Sequence, residues 1–464
     1  MSDPTRASSS GPARYDVAVI GGGMGGLVVA RDLAVAGRRV VVVEASDRLG
    51  GEVMRHTVAG LALDGGAESF ATRGDVVATL ARDLGLGDDL VVPDARGAWV
   101  QQVDGSAFPL PKAGLLGIPA SAADPDVADA IGPAAVAEAL ALDAQTVTVG
   151  ADETKLGPLV RARLGQTVLD RLVAPVVTGV HSLHPDELDI DRVAPGLRAA
   201  FAREGSLGAA VASLRALAPA GSAVGGIRGG TNRLVERLVA ELEAHGADLR
   251  LGARADAVDA TGATVAGERL DADRVVLALG GRDLRDLAGR ASSAPGLITL
   301  ATLVLRDPRL DAAPRGTGVL VAPGTAGVRA KALTHATVKW PWLAERADGR
   351  HVVRLSYDSP AVDRSTADDE LRSAALADAS ALLGIDLTEA AVDGFARVTW
   401  SAPLRGEEAR ETSDPAASLV ADGVLRVGGA VAGRGLAAVV AQARATAAAV
   451  IADADPRRRP EENA

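Results

Sequence analysis

The sequence contains no cysteine. That excludes disulfides, thiolate zinc sites, cysteine-ligated iron–sulfur clusters, dithiol redox pairs, a cysteine nucleophile and a cysteine-tethered cofactor. Aromatic residues are also scarce, at 2%. Basic residues (49) are outnumbered by acidic ones (60), for a net charge of −11. This argues against a broad nucleic-acid-binding face and leaves local basic clusters to grip an anionic small molecule. No run approaches the ~20 apolar residues of a membrane span. Residues 1–13 carry no apolar stretch of the secretory type and read as a disordered leader. Residues 455–464 read as an equally disordered tail. The expected location is cytoplasmic. The weaker alternative is a peripheral membrane contact through Leu115, Leu116 and Ile118, a stretch that lacks a basic companion face. No G-x-S-x-G or zincin motif is present, so hydrolase readings lack their residues. His181 and His184 are three apart, but Pro185 interrupts any helix and no third ligand is placed, so no metal site is expected.

What is present is 48% hydrophobic over 464 residues, enough for two or three compact domains with ample core. Tyr15 to Ile20 is a short apolar run, the pattern of a buried parallel strand. Gly21-Gly22-Gly23-Met24-Gly25-Gly26 follows, satisfying G-x-G-x-x-G, and then a helix that stops at Gly37. Arg39 to Val43 is a second apolar strand and ends in Glu44. In such a unit one glycine makes the turn, one lets the backbone approach a pyrophosphate and one lets helix pack on strand. The helix N-terminus meets the anion. Glu44 is placed to accept ribose hydroxyls, which disfavours a 2′-phosphate and hence NADP. It does not separate NAD from FAD.

Arg48-Leu49-Gly50-Gly51 resembles the R-x-G-G segment of the flavin amine oxidase and protoporphyrinogen oxidase superfamily. Leu63-Asp64-Gly65-Gly66-Ala67-Glu68-Ser69-Phe70 is similar to the flavin-side segment of its porphyrinogen-oxidising branch, with Gly66-Ala67 in place of Gly-Pro. Val173 to Val180, running on to Asp186-Glu187-Leu188, resembles another stretch of that branch. Lys339-Trp340-Pro341 matches a signature of its bacterial members. Val427 to Leu436 resembles the closing FAD motif. The similarity runs from about Tyr15 to Val450.

The resemblance implies FAD as cofactor. Its site would be formed by Gly21, Gly23, Met24, Gly25, Gly26, Glu44, Ala45, Arg48, Gly50, Gly51, Gly65, Gly66, Ala67, Glu68, Ala255, Trp400, Gly429, Val431, Gly435 and Leu436. It implies oxidation of coproporphyrinogen III to coproporphyrin III in heme biosynthesis. Six electrons would leave in three flavin cycles, with O2 as acceptor and peroxide released. No protein side chain is assigned a catalytic role, because the flavin supplies the chemistry. Arg96 and Lys339 are the candidates to meet substrate propionates, and Gly179 the candidate to let substrate approach closely. Arg161, Arg163 and Arg171 read as surface charges. The alternatives are protoporphyrinogen IX oxidation, another flavin amine or carotenoid oxidoreductase, or a non-catalytic flavin- or heme-handling protein. The tetra-anionic substrate and the missing membrane signal favour coproporphyrinogen. Scarce aromatics disfavour an amine cage. Glu52 stands where relatives carry Arg or Lys, and Ala430 where many carry Asp; either would loosen the flavin. The partners implied are the porphyrinogen, O2 and, transiently, a downstream heme-pathway enzyme.

The expected fold is α/β. A discontinuous Rossmann-type FAD domain takes 14–74, 222–292 and 418–453. A mixed-sheet substrate domain takes 75–92, 196–221 and 293–417, and a mainly helical insertion takes 93–195. Strands are expected at Arg274–Leu279 and Leu425–Gly429 and a helix at Leu436–Ile451.

Overall fold

The computed structural model describes residues 14–72, 74–216, 224–293, 296–402, 404, 408, 411–412, 421–433 and 435–453, with backbone alone at His181. Both expected disordered tails, and Arg434 of the closing motif, lie outside the described residues.

The first sheet runs in the order Asp248–Arg250, Val40–Val43, Tyr15–Ile20, Glu268–Leu277, Gly262–Val265, Ala255–Asp259. Leu425–Arg426 pairs in parallel with Glu268–Leu277. Tyr15–Ile20 is parallel to both of its neighbours. Val40 to Val43 are all buried, as four β-branched residues in a central parallel strand should be. The helix Met24–Val35 leaves the glycine loop and buries Leu27, Val28, Val29, Ala30 and Leu33. It shares one core with the helices Asn232–Ala244 and Leu436–Asp453. Each fully buried Leu or Val there contributes about 1.5–3 kcal/mol. The chain thus brings residues near 15, 235, 276 and 440 into one unit.

Three expectations need correction here. The strand expected at Leu425–Gly429 is only Leu425–Arg426, because Gly428 takes φ +97° and a helical turn Gly429–Ala432 begins. The strand expected from Arg274 starts earlier, at Glu268, because its first half pairs antiparallel with Gly262–Val265. The helix Val76–Asp83 falls in the span given to the substrate domain. Its Val77, Leu80 and Ala81 pack instead in the core of the first sheet.

The second sheet runs Val392–Ser401, Leu297–Leu305, His351–Asp358, Ala332–His335, Gly318–Val321, Trp99–Gln101, Ala107–Pro109. It is antiparallel except where Gly318–Val321 meets Trp99–Gln101, so it is mixed. A third core lies among helices between Pro125 and Ala216. Ile118 is fully buried in it, with Leu115 and Leu116 packed alongside, so this stretch is no exposed membrane-facing strip. Arg163 is no surface charge either. It is fully buried, stacks 4.9 Å from Phe201 and donates to the carbonyls of Asp143, Thr146 and Gly205. Those bonds satisfy a guanidinium that would otherwise be costly to bury. Arg171 is half-buried over Phe108, its Nε on the Ala130 carbonyl.

Leu436–Asp453 is long and apolar enough to cross a membrane by length and composition, contrary to the expectation that no such run exists. In the fold it is a core helix. Val440, Ala443 and Ala447 are buried, and Arg444 pairs with Asp83 and Asp32.

Candidate functional site

The first glycine loop is shaped by contacts that leave no room for side chains. Gly21 has φ +107°, and a Cβ on it would lie 2.5 Å from the Ala278 carbonyl oxygen. A Cβ on Gly26 would lie 2.0 Å from the Gly21 oxygen, the close approach of helix to strand. Gly25 comes against Gly428, 3.0 Å from added Cβ to its Cα, and Gly51 comes against Gly23 at 3.2 Å. The Gly50 N–H donates to the Gly22 oxygen at 2.8 Å. Three segments far apart in sequence therefore meet. Around this junction there is open space: among the described residues, chain neighbours apart, a Cβ on Gly23, Gly428, Gly429, Gly433 or Gly435 meets no atom within 4 Å. These residues form a backbone-lined cradle beside the N-termini of the helices Met24–Val35 and Leu436–Asp453. Such ends carry partial positive charge and orphan N–H groups, the fitting surface for a diphosphate.

Glu44 closes the end of its strand. One carboxylate oxygen accepts the Gly22 N–H at 2.7 Å, and the other accepts both the N–H and hydroxyl of Ser46. Ala45 beside it is exposed. The Ala253 N–H donates to the Glu44 carbonyl, which brings the segment leading into Ala255 to the same edge. Met24 and Leu436 face the core, so only their backbones border the cradle. Val431 is half-buried in the turn beyond Gly428.

The segment 64–68 forms the other end. Arg48 lies 5.8 Å over the Trp400 ring, and Trp400 Nε1 donates to the Gly65 carbonyl at 3.3 Å. The Ala67 carbonyl accepts from the Thr231 hydroxyl at 2.5 Å. Arg354 donates to the carbonyls of Asp64 (3.2 Å) and Gly66 (2.9 Å). Glu68 is buried between Arg354 at 3.0 Å and Lys339 at 2.5 Å. Burial alone would raise its pKa. The two cations overcome this and hold it down at about 2. Asp64 is pushed the other way, to about 6, by burial; the Thr231 bonds and Arg354 offset only part of this, and Glu68 adds to it.

Not every expected site residue joins this arrangement. Lys339 pairs with Glu68 and lies 5.2 Å from the Trp340 ring, so it would have to leave that carboxylate to meet a propionate. Arg96 sits half-exposed on the loop before the hairpin, its guanidinium paired with Asp94. A Cβ on Gly179 would lie 2.7 Å from the Leu320 side chain, so helix-on-strand packing already accounts for this glycine. His184 Nδ1 accepts the Asp186 N–H. Among the described residues no group of three or more His, Asp or Glu is arranged for a metal. Sequence reading missed Arg354 and Thr231. An arginine between Val353 and Leu355 in the strand His351–Asp358 was the available signal for the first. Nothing local marked the second. It also missed the buried pair His335 and His351, 3.0 Å apart, whose outer member meets Asp311.

The sequence profile of the family described as flavin containing amine oxidoreductase matches residues 24–451, and the chain belongs to that family. It is 32% identical, over 79% of its length and 82% of the relative's, to coproporphyrinogen III oxidase of Mycobacterium tuberculosis (strain ATCC 25618 / H37Rv). It is 28% identical to the coproporphyrinogen III oxidase of Propionibacterium freudenreichii subsp. freudenreichii, over 82% of this chain and 81% of that one. Its fold is similar to the crystal structure of a protein provisionally named a protoporphyrinogen oxidase, from Exiguobacterium sp. 255-15. The TM-score is 0.78 at 22% identity, covering 96% of this chain and 100% of the other. Cyclohexylamine oxidase from Brevibacterium oxydans IH-35A shares the fold with a TM-score of 0.65 at 18% identity, covering 95% and 99%.

Proposed function

We propose that the chain is an FAD-dependent oxidase of porphyrinogens, with coproporphyrinogen III as substrate, coproporphyrin III as product and O2 as acceptor. The meeting of three glycine segments at Gly23, Gly51 and Gly428 carries this reading, because it is a backbone cradle for a dinucleotide. The names of the 32%-identical relatives support the choice of substrate.

The residues that would hold FAD have distinct tasks. Glu44 accepts the ribose hydroxyls while the Gly22 N–H keeps its carboxylate in place. The two helix N-termini receive the diphosphate. The segment 64–68, braced by Trp400 and Arg354, borders the flavin. When bound there, FAD would supply the capacity to take a hydride from a carbon centre and to be reoxidised by O2. Glu68, ionised throughout the physiological range, serves as a fixed charge rather than a proton donor. Arg96 remains a candidate for a propionate. It must give up Asp94 to take one, an exchange of one charge-assisted bond for another.

The test is anaerobic mixing of flavin-loaded protein with coproporphyrinogen III and, separately, protoporphyrinogen IX. Loss of the flavin's visible absorbance with the first and slower loss with the second is expected. Bleaching by neither would remove the porphyrinogen reading, and faster bleaching by protoporphyrinogen would exchange the substrate.

A further inference from the structure

Four consecutive carbonyls, those of Asp64, Gly65, Gly66 and Ala67, are each taken by a side chain from a distant element. Arg354 holds the first and third, Trp400 the second and Thr231 the fourth. The N–H groups alternate. Those of Gly65 and Ala67 donate to the carbonyls of Met54 and Glu52. Those of Gly66 and Glu68 take no acceptor among the described residues. A Cβ on Gly66 would lie 1.9 Å from the Glu52 oxygen, so the segment is pressed onto its neighbour and has one way to run.

Arg354 contributes most to this brace. Its Nη1 reaches two carbonyls and its Nη2 reaches the Glu68 carboxylate at 3.0 Å. A guanidinium presents its donors in one fixed plane, whereas a lysine ammonium is a compact charge with three rotatable donors on a flexible stem and cannot reproduce that spread. Arg354 is 14% exposed at its side chain and Glu68 10%, so these bonds form largely out of water. With Lys339 on the second Glu68 oxygen, two cations surround one carboxylate. Asp64 stands next in line, lining the same small internal cavity as Glu68 and Arg354. His56, half-buried, lies near enough to Arg354 on the neighbouring hairpin for the two to interact electrostatically.

We infer that Arg354 is a positioning residue for the flavin. By fixing the carbonyls of Asp64 and Gly66, it holds the two peptides whose N–H groups, Gly65 and Ala67, donate to Met54 and Glu52, and so sets the course of the segment beside the proposed cofactor. As one of two cations on Glu68, it also sets the charge there. This inference rests on the FAD reading above. Nothing in the chemistry of the porphyrinogen enters it, so it holds for any substrate the flavin serves.

Two variants separate the brace from the charge. Arg354→Lys keeps the cation and loses the fork. Arg354→Met loses both and makes the cluster one charge more negative. FAD dissociation constants come from quenching of flavin fluorescence on apoprotein, and midpoint potentials from dye-coupled reduction of the loaded protein. Arg354→Lys should weaken FAD binding about tenfold or more while moving the potential little. Arg354→Met should weaken it at least as much and make the bound flavin harder to reduce. Far-UV circular dichroism of each variant checks folding. If Arg354→Met does not fold, Arg354→Lys and Lys339→Met still divide brace from charge. Variants that fold, bind FAD as tightly as the parent and keep its potential overturn the inference alone. A parent protein that takes up no FAD overturns the functional reading and this inference with it.

Discussion

The two ends of the proposed FAD cradle are built by opposite means. The diphosphate end is made of backbone. Gly21, Gly25, Gly26 and Gly51 bring main chains within van der Waals contact, and side chains only pin that backbone from outside: Glu44 takes the Gly22 N–H, Gln442 the Gly428 N–H, and Arg48 donates to the Gly51 carbonyl. The flavin end is made of side chains. Thr231, Lys339, Arg354 and Trp400 come from four separate parts of the sequence to hold five residues. An end made by omission of side chains tolerates no addition. An end made by bonds tolerates rearrangement but depends on charge.

The largest effect expected from this contrast is at Gly26. Gly26→Ala puts a methyl group 2.0 Å from a backbone oxygen that cannot retreat without moving the central strand. FAD retention should be lost and the protein destabilised by several kcal/mol, about 3 or more, as judged by Tm and by flavin content after gel filtration. A variant that folds and keeps its flavin would show the backbone end to be as forgiving as the other.

Glu68→Ala comes next. It leaves two largely buried cations with no anion between them, a change expected to cost about 2–4 kcal/mol in chemical denaturation, somewhat less than for a fully buried pair. The pH dependence sharpens the same point. The Glu68 carboxyl is held at about 2, below its ordinary 4.5, so the unfolded chain binds the extra proton between those values. Stability from Glu68 therefore grows as pH rises from 2 to 4.5 and is lost on acidification. Asp64 has the opposite sign. Its carboxyl is raised from 3.8 to about 6, so the folded state holds the extra proton and stability falls as pH rises through that window. The cluster should be most stabilising near pH 4. Asp64→Asn should flatten the decline between pH 4 and 6 in a Tm series; an unchanged slope would remove Asp64 as its source.

The smallest effect is expected at Glu44. Glu44→Gln keeps an acceptor and the strand-end geometry but gives up the charge. FAD binding should weaken about tenfold or less, with little change in Tm. A loss as great as that at Gly26 would mean that the backbone end depends on charge after all.

The same contrast explains what the sequence made legible. The strand, glycine loop, helix and Glu44 lie within ~30 residues, and their pattern is local. The closing segment near Gly428 was also readable, because its glycines mark the cradle directly. The brace at 64–68 was not. Lys339 and Glu68 were both singled out, but for different tasks, and only the fold makes them a pair. Arg163 was misread for the same reason. A charged residue on a helical pattern reads as surface, and the carbonyls that satisfy it lie at 143, 146 and 205.

Gly25 and Gly428 touch, although they stand near opposite ends of the chain. A ribosome adding ~5–20 residues per second needs tens of seconds to deliver the second after the first. During that interval the opening βαβ unit can form, but the helix Leu436–Asp453 that covers its core has not been made. Cofactor capture is therefore a late event in the life of each molecule. Nascent chains stalled before Leu425 would lack the helix that completes this core, and would be a natural target for chaperones until it arrives.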